Sequence, residues 1–155
     1  MSVAAAPPGY DLSLFIPDLK ARKKEQAFAE LVNAACDAGV VTDAPLLLEF
    51  LKLRERLGAT AIGKGVAIPH ARSATILTPR FLMARSQRGI DWGATDGVPV
   101  QLVFLVLSPG EWSDEAHHGW LARATSLARL QRTRQKLLGA ASPSAAAAIA
   151  REVMS

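Results

Sequence analysis

Residues 54–70 read Arg54-Glu-Arg-Leu-Gly-Ala-Thr-Ala-Ile-Gly-Lys-Gly-Val-Ala-Ile-Pro-His70. The segment begins near the end of a predicted helix, turns at two glycines and closes with a short apolar run. Pro69 lacks the N–H that a sheet ladder needs, so we expect a strand over 66–68 with His70 at its end. Histidine is a nucleophile that titrates near neutral pH, and arginine is a planar cation suited to phosphate. If the turns bring Arg54 and His70 together, the segment predicts a phosphoryl-transfer site.

Two helices are predicted before this segment. Residues 23–38 carry apolar side chains at i, i+3, i+4 and i+7, which is the spacing of one helix face. Asp43 suits the N-cap of a second helix that runs to about residue 57. Arg54 then lies in its last turn, beside the negative end of the helix dipole. The stripe of the first helix consists of Phe28, Leu31, Val32, Ala35 and Cys36.

The part of the chain after His70 predicts a buried sheet and further helices. Strands are expected over about 81–86 and 100–107, and the second is apolar at nearly every position, as in a strand covered on both faces. Ser113 suits the N-cap of a long third helix. Helices are also expected around 134–139 and from 142 to about 153, and a short strand or extended lead-in over 12–16. Helices before and after a buried sheet predict a layered α/β domain.

The composition fits one globular domain of 155 residues, with 50% hydrophobic and 21% charged residues. We expect residues 1–10 to form a flexible tail and residues 11–155 to form the domain. No apolar run is long enough to span a membrane, and the N-terminus has no secretory pattern. Cys36 is the one cysteine, so no internal disulfide can form and a cytoplasmic location is expected. We also expect its thiol to be buried.

Several other kinds of site fit the sequence poorly. The three histidines are His70, His117 and His118, and neither His-Glu-x-x-His nor Cys-x-x-Cys is present, so no metal site is expected. A Gly-x-Ser-x-Gly elbow and a Walker loop are also missing. From its spacing alone, His70 is as compatible with a structural role as with catalysis. Glu55 and Arg56 are expected on a solvated helix surface.

At this point the residues match a known family. Arg54 to His70 resembles the phosphohistidine region of the type-2 enzyme IIA domains of the bacterial phosphotransferase system, which include fructose, mannitol and nitrogen-related IIA proteins. A second stretch, Gly89-Ile-Asp-Trp-Gly-Ala-Thr-Asp-Gly-Val-Pro-Val-Gln-Leu-Val-Phe-Leu-Val, is similar to another motif of the same family. The chain departs from the family pattern at Ala59 and Ala61, where serine and glycine are usual.

The resemblance implies a single three-layer α/β domain, with a mixed sheet of about five strands flanked by helices, as in the mannitol-type IIA fold. It also implies that His70 accepts a phosphoryl group from a small HPr-like carrier and that Arg54 stabilises the phosphoryl charge. His70 would pass the group to a cysteine of a IIB domain, or keep it as a regulatory mark read by other proteins. No cofactor or metal is needed for this chemistry.

The family often has a second histidine at the start of the helix after the long strand. The family register places Trp120 at that position, with His118 two residues earlier and His117 three. We expect His118, rather than His117, to be a helper near the phosphate, and a solvent-facing first turn of the helix is the alternative for both.

Two uses of a phosphoryl carrier stay open at this stage. A nitrogen-type regulatory IIA is favoured because no fused IIB, IIC or HPr segment is present, and a sugar-transport IIA is the alternative. A basic nucleic-acid-binding module is a third hypothesis. The net charge of +4 and the arginines between 123 and 136 motivate it, but no base-reading motif accompanies them.

Overall fold

The computed structural model describes residues 14–154, so the tail at 1–10 and the first two residues of the lead-in at 12–16 lie outside the described residues. Ile16 at the end of that lead-in makes an isolated bridge to Ala84. The helices are α1 Lys24–Asp37, α2 Ala44–Leu57, α3 Asp114–Thr125, α4 Gln131–Leu138 and α5 Pro143–Met154. The strands are β1 Ala61–Gly63, β2 Val66–Ala67, β3 His70–Ser73, β4 Arg80–Ile90 and β5 Val100–Pro109. The helices and the two long strands expected from the sequence are confirmed, although α4 begins three residues earlier than predicted. β1 and β3 are additional.

The predicted helix starts are capped as expected. The Asp43 side chain accepts a hydrogen bond from the Leu46 N–H at 3.1 Å, and the Ser113 hydroxyl accepts one from the Ala116 N–H at 3.0 Å. Each of these bonds satisfies one of the N–H groups that a helix leaves unpaired in its first turn.

Strand β5 lies inside the five-stranded mixed sheet. β4 pairs with it antiparallel on one side, while β2 and β3 both pair with it parallel on the other. β2 and β3 keep the same register against β5, since Val66 faces Leu102 and His70 faces Val106. They are therefore two halves of one strand, interrupted at Pro69.

The interruption corrects one prediction about His70. The strand does end before Pro69, which has no N–H to donate. Its carbonyl still accepts a hydrogen bond from the Val106 N–H at 3.0 Å, and the chain returns to the ladder at the next residue. His70 consequently begins a strand rather than following one.

Two apolar clusters cover the two faces of the sheet, as a three-layer α/β domain requires. On β5 the side chains alternate between them, with Val103, Leu105 and Leu107 against α1 and α2 and with Leu102, Phe104 and Val106 against the helices from α3 onward. Residues paired in a parallel register face the same side of a sheet. His70 and Arg72, which pair with Val106 and Ser108, thus face the α3 layer.

The prediction of a buried thiol at Cys36 is wrong, because this residue is exposed. The rest of the stripe is buried as expected, and Ala27 extends it on the side away from Cys36. At 100° per residue, this addition moves the centre of the buried face away from the thiol and leaves Cys36 outside it.

Candidate active site

Two hydrogen bonds orient the His70 ring. Its Nδ1 lies 2.9 Å from the Ile68 carbonyl oxygen, and its Nε2 lies 3.3 Å from Arg54 Nε. A carbonyl oxygen only accepts and a guanidinium only donates, so in the neutral ring Nδ1 carries the hydrogen and Nε2 carries the lone pair. The geometry therefore presents Nε2 as the nucleophilic nitrogen, directly beside a fixed positive charge.

Arg54 is held in place from its own helix end. It lies in the last turn of α2, and its Nη1 donates to the Gly58 carbonyl at 2.9 Å. The Gly58 N–H in turn donates to the Glu55 carbonyl at 3.2 Å, which closes the end of the helix. The guanidinium is thus fixed before any ligand arrives, and electrostatic stabilisation of a transition state depends on such preorganised groups.

Glu55 is buried, which corrects the expectation of a solvated surface residue; Arg56 beside it is exposed as expected. The Glu55 carboxylate accepts hydrogen bonds from the Thr60 hydroxyl at 2.7 Å and the Thr60 N–H at 3.1 Å. Lys24 Nζ lies 3.5 Å from it and supplies a compensating charge. In the sequence, Glu55 continues the buried positions Leu47 and Leu51 at a spacing of four residues, a signal that could have revealed its burial.

The Glu55–Thr60 pair ties the end of α2 to the strand that carries the site. The Thr60 carbonyl accepts the Ile68 N–H at 3.0 Å, and the Ile68 carbonyl is the acceptor for His70 Nδ1. A continuous chain of hydrogen bonds therefore runs from the buried carboxylate to the imidazole. This chain explains how a 17-residue segment closes on itself so that its two ends meet.

The structure brings His117, rather than His118, next to His70. The His70 and His117 ring centroids lie 5.6 Å apart, and His117 is buried with its Nδ1 2.8 Å from the Ser108 hydroxyl. His118 is exposed, with its ring 5.9 Å from that of His117. The geometry thus favours His117 as the helper, against the sequence-based preference for His118. A solvent-facing position holds for His118 but not for His117.

Burial is the main cause of the altered pKa values at the site. It lowers the pKa of His70 below 6.5, opposed by the hydrogen bond to Ile68 and reinforced by the charge of Arg54. Burial, followed by the nearby His70 and Arg72, lowers the pKa of His117 to about 4. Both imidazoles are therefore neutral at pH 7, which leaves the His70 Nε2 lone pair available.

A cleft of about 370 Å³ opens at these residues. Arg72 lines one side, where its Nη2 lies 2.6 Å from an Asp114 carboxylate oxygen and its Nη1 donates to the Trp112 carbonyl at 3.0 Å. This ion pair fastens the first turn of α3 to β3. Sequence reasoning missed Arg72, although it lies two residues after His70 and so shares its face of the strand.

Residues 14–154 contain no group of three His, Cys, Asp or Glu side chains arranged to hold a metal ion. No helix in the same part of the chain has both the length and the apolar surface that crossing a bilayer requires.

Residues 11–152 match the protein family described as Phosphoenolpyruvate-dependent sugar phosphotransferase system, EIIA 2. The chain belongs to this family. A nitrogen regulatory protein of Bradyrhizobium diazoefficiens is 41% identical over 122 residues, which cover 79% of this chain and 78% of that protein. The fructose-specific EIIABC component of Bacillus subtilis is 33% identical over 128 residues, which cover 83% of this chain but 20% of that protein.

The fold agrees with the family. The crystal structure of the nitrogen regulatory protein IIA-Ntr from Neisseria meningitidis has a TM-score of 0.80 to this EIIA domain, with 29% sequence identity. The match covers 90% of this chain and 94% of that one. The α/β fold that the sequence implied, with its mixed sheet of five strands between helices, is thus confirmed.

Proposed function

We propose that this EIIA domain is a phosphoryl carrier that takes a phosphoryl group onto His70 Nε2. The observation that carries the proposal is the 3.3 Å contact between Arg54 Nε and His70 Nε2, with Nδ1 hydrogen-bonded to a main-chain carbonyl. The lone pair of His70 Nε2 thus lies beside Arg54, whose charge can neutralise the oxygens of a phosphoryl group bound there.

The donor is a phosphohistidine on a small HPr-like carrier. The His70 Nε2 lone pair attacks phosphorus, a new N–P bond forms, and the N–P bond on the carrier breaks, which returns the electron pair to the carrier's imidazole. His70 keeps its Nδ1 hydrogen on the Ile68 carbonyl throughout. Arg54 compensates charge on the phosphoryl oxygens, because catalysis of this reaction rests mainly on positioning and electrostatics.

His117 is the proposed helper. Its ring lies 5.6 Å from that of His70, close enough for a phosphoryl group on His70 Nε2 to come within reach of a ring N–H. A neutral imidazole contributes one N–H donor without adding a second full charge beside Arg54. His118, exposed on the same turn, is better placed to meet the protein that delivers phosphate.

An exposed apolar stripe beside the site suits a protein partner. Four side chains of α2 form it at intervals of three or four residues, and three of them line the cleft with His70. The stripe consists of Leu46, Phe50, Leu53 and Leu57. Apolar surface of this kind, next to the reacting nitrogen, is typical of a docking face and supports a carrier protein rather than a small molecule as donor.

The regulatory use is favoured over sugar transport. The nitrogen regulatory protein of B. diazoefficiens is 41% identical to this chain, against 33% for the B. subtilis fructose protein, and the IIA-Ntr structure from N. meningitidis matches this chain with a TM-score of 0.80. In the regulatory role, phosphorylation of His70 alters which proteins bind. In the transport role, the same phosphate moves to a IIB cysteine. We propose a cytoplasmic location for either role.

Labelling tests the carrier function. Incubation with phosphoenolpyruvate, enzyme I and an HPr-type carrier is expected to give one acid-labile, base-stable phosphate per chain, which is lost in His70→Ala. Label that persists in the folded His70→Ala protein would contradict the proposal.

A chase separates the two roles. Unlabelled fructose- or mannitol-type IIB domain is added to the phosphorylated protein. A regulatory carrier keeps most of its label over a period in which a matched sugar IIA is discharged, and rapid transfer to the IIB cysteine would favour sugar transport.

A further inference from the structure

Ser108 has no assigned role in the reaction, yet its hydroxyl is the group that holds His117. Ser108 lies on β5 and is fully buried, and it pairs in register with Arg72 of β3. Its side chain faces the α3 layer, where His117 Nδ1 lies 2.8 Å from the hydroxyl oxygen. His117 is likewise buried, with 8% of its surface exposed.

The hydrogen between these two groups has two possible placements. If Nδ1–H donates to the hydroxyl oxygen, the serine O–H is left without an acceptor, because His117 Nδ1 is its only side-chain hydrogen-bond partner among residues 14–154. A buried donor without an acceptor is costly. If the serine O–H donates to Nδ1 instead, no buried donor of the pair is left unsatisfied.

We propose that Ser108 is a positioning residue that donates its hydroxyl hydrogen to His117 Nδ1 and so fixes the N–H of His117 on Nε2. With Nδ1 occupied, Nε2 is the ring nitrogen left to interact with a ligand. Burial lowers the pKa of His117 to about 4, so the ring carries one N–H at neutral pH, and the tautomer decides which nitrogen donates.

The consequence for catalysis rests on the proposed function. His70 Nε2 offers a lone pair and His117 Nε2 offers an N–H, so the two neighbouring rings have complementary roles although both are neutral imidazoles. His70 acquires its tautomer from the Ile68 carbonyl, which can only accept, and His117 acquires the opposite tautomer from a hydroxyl that donates. An N–H beside the phosphorylated nitrogen would then hydrogen-bond a phosphoryl oxygen.

The tautomer can be measured without phosphorylation. Two-bond ¹H–¹⁵N correlation spectra of the unphosphorylated wild-type protein at pH 7 assign each ring nitrogen as protonated or not. We expect His117 with its hydrogen on Nε2 and His70 with its hydrogen on Nδ1. A wild-type His117 with its hydrogen on Nδ1 would overturn the proposal, and this result needs neither a folded variant nor an active carrier.

Variants extend the test to the reaction. In Ser108→Ala the Nε2–H population of His117 should fall and phosphoryl transfer from the HPr-type carrier should slow by about three- to tenfold, the effect of one net hydrogen bond. Ser108→Thr, which keeps the hydroxyl, should restore the wild-type tautomer and most of the rate. Ser86→Ala removes the hydroxyl of another buried serine, which accepts the Gly89 N–H, and should leave both measurements unchanged.

The outcomes separate the two proposals. An unchanged His117 tautomer in folded Ser108→Ala overturns the role of Ser108, whatever the transfer rate. A chain that takes no phosphate while its His117 tautomer depends on Ser108 would contradict the carrier function alone.

Discussion

Arg54 Nε and His70 Nε2 lie 3.3 Å apart although 16 positions separate the two residues in the chain. The contact joins the last turn of α2 to the first residue of β3, so both groups rest on regular elements rather than on loops. Groups on such elements are held more precisely than groups on loops.

Replacing Arg54 should impair transfer more than folding. Arg54→Ala removes the cation beside Nε2, and we expect the rate of phosphoryl transfer to His70 to fall by roughly hundredfold, as when one preorganised donor is lost. Arg56→Ala, an exposed arginine two residues away, should keep the wild-type rate. Quench-flow labelling gives the rate and circular dichroism checks the fold. Loss of the folded state in Arg54→Ala would mean that the residue is structural.

Arg54→Ala should also change the pKa of His70. Burial, first, and the Arg54 charge lower the pKa of His70, so the wild-type ring gains its proton at a lower pH than an ordinary histidine. Arg54→Ala removes one of the groups that lower this pKa, so the His70 pKa should rise toward its ordinary value. Titration of the His70 Cε1–H resonance by NMR measures this change. A His70 pKa unaffected by the substitution would show that the guanidinium does not act on the ring.

His117 should link stability to pH. Its pKa is about 4 in the folded protein and near 6.5 when unfolded, so the unfolded state binds a proton first as the pH falls. The associated stability is complete above pH 6.5 and lost progressively down to about pH 4, with a magnitude of about 3 kcal/mol. Urea unfolding measured between pH 6.5 and pH 4 should show that the free energy of unfolding falls less steeply with pH in His117→Gln than in wild type. The same slope in both proteins would contradict the lowered pKa of His117.

The Thr60 hydroxyl should stabilise the fold through Glu55. Thr60→Val keeps the shape but removes the hydroxyl donor to a buried carboxylate, so we expect about 1–3 kcal/mol less free energy of unfolding. The control is Thr42→Val, whose hydroxyl donates to the Thr75 carbonyl at 3.3 Å on an exposed residue and should matter much less. If Thr60→Val and Thr42→Val lose the same free energy of unfolding, the hydrogen bond to Glu55 has no special effect on stability.

Gly65, in the turn between β1 and β2, and Gly119, inside α3, should respond in opposite ways to replacement by alanine. Gly65 has φ +79°, and a Cβ there would lie 3.3 Å from the Pro99 carbonyl oxygen. Gly65→Ala should therefore destabilise by about 1–2 kcal/mol. Gly119, inside α3 with nothing within 4 Å of a Cβ, should instead gain up to about 1 kcal/mol on substitution by alanine. Thermal unfolding of both variants checks the opposite signs.

The sequence predicted the parts of the fold that depend on local pattern. Helix periodicity and the caps at Asp43 and Ser113 define α1 to α3, and the apolar run defines β5. β1 and β3 escaped prediction because they are short and gain their partners from distant strands. The burial of Cys36 and Glu55 was predicted wrongly. Cys36 lies at the edge of an apolar stripe and Glu55 is a polar residue within one, and tertiary packing decides whether such residues are buried.

The site likewise has a part that local sequence predicts and a part that depends on distant contacts. Arg54 and His70 belong to one contiguous motif, from which their contact could be predicted. His117, Ser108 and Arg72 come together only through the register of β3 against β5 and the docking of α3, which the local pattern does not encode. Choosing between two adjacent histidines requires knowing which side of α3 faces the sheet, and the sequence does not show this; the ring positions favour His117 over the expected His118.

The acceptor that orients His70 is a peptide carbonyl, and this has a consequence for mutational surveys. Because every amino acid at position 68 carries that oxygen, no side-chain substitution there deletes the interaction. A complete alanine scan would thus pass over the group that selects the nucleophilic nitrogen. Only an alteration of the main chain itself, such as an ester in place of the peptide unit after Ile68, would weaken this acceptor and reveal its contribution.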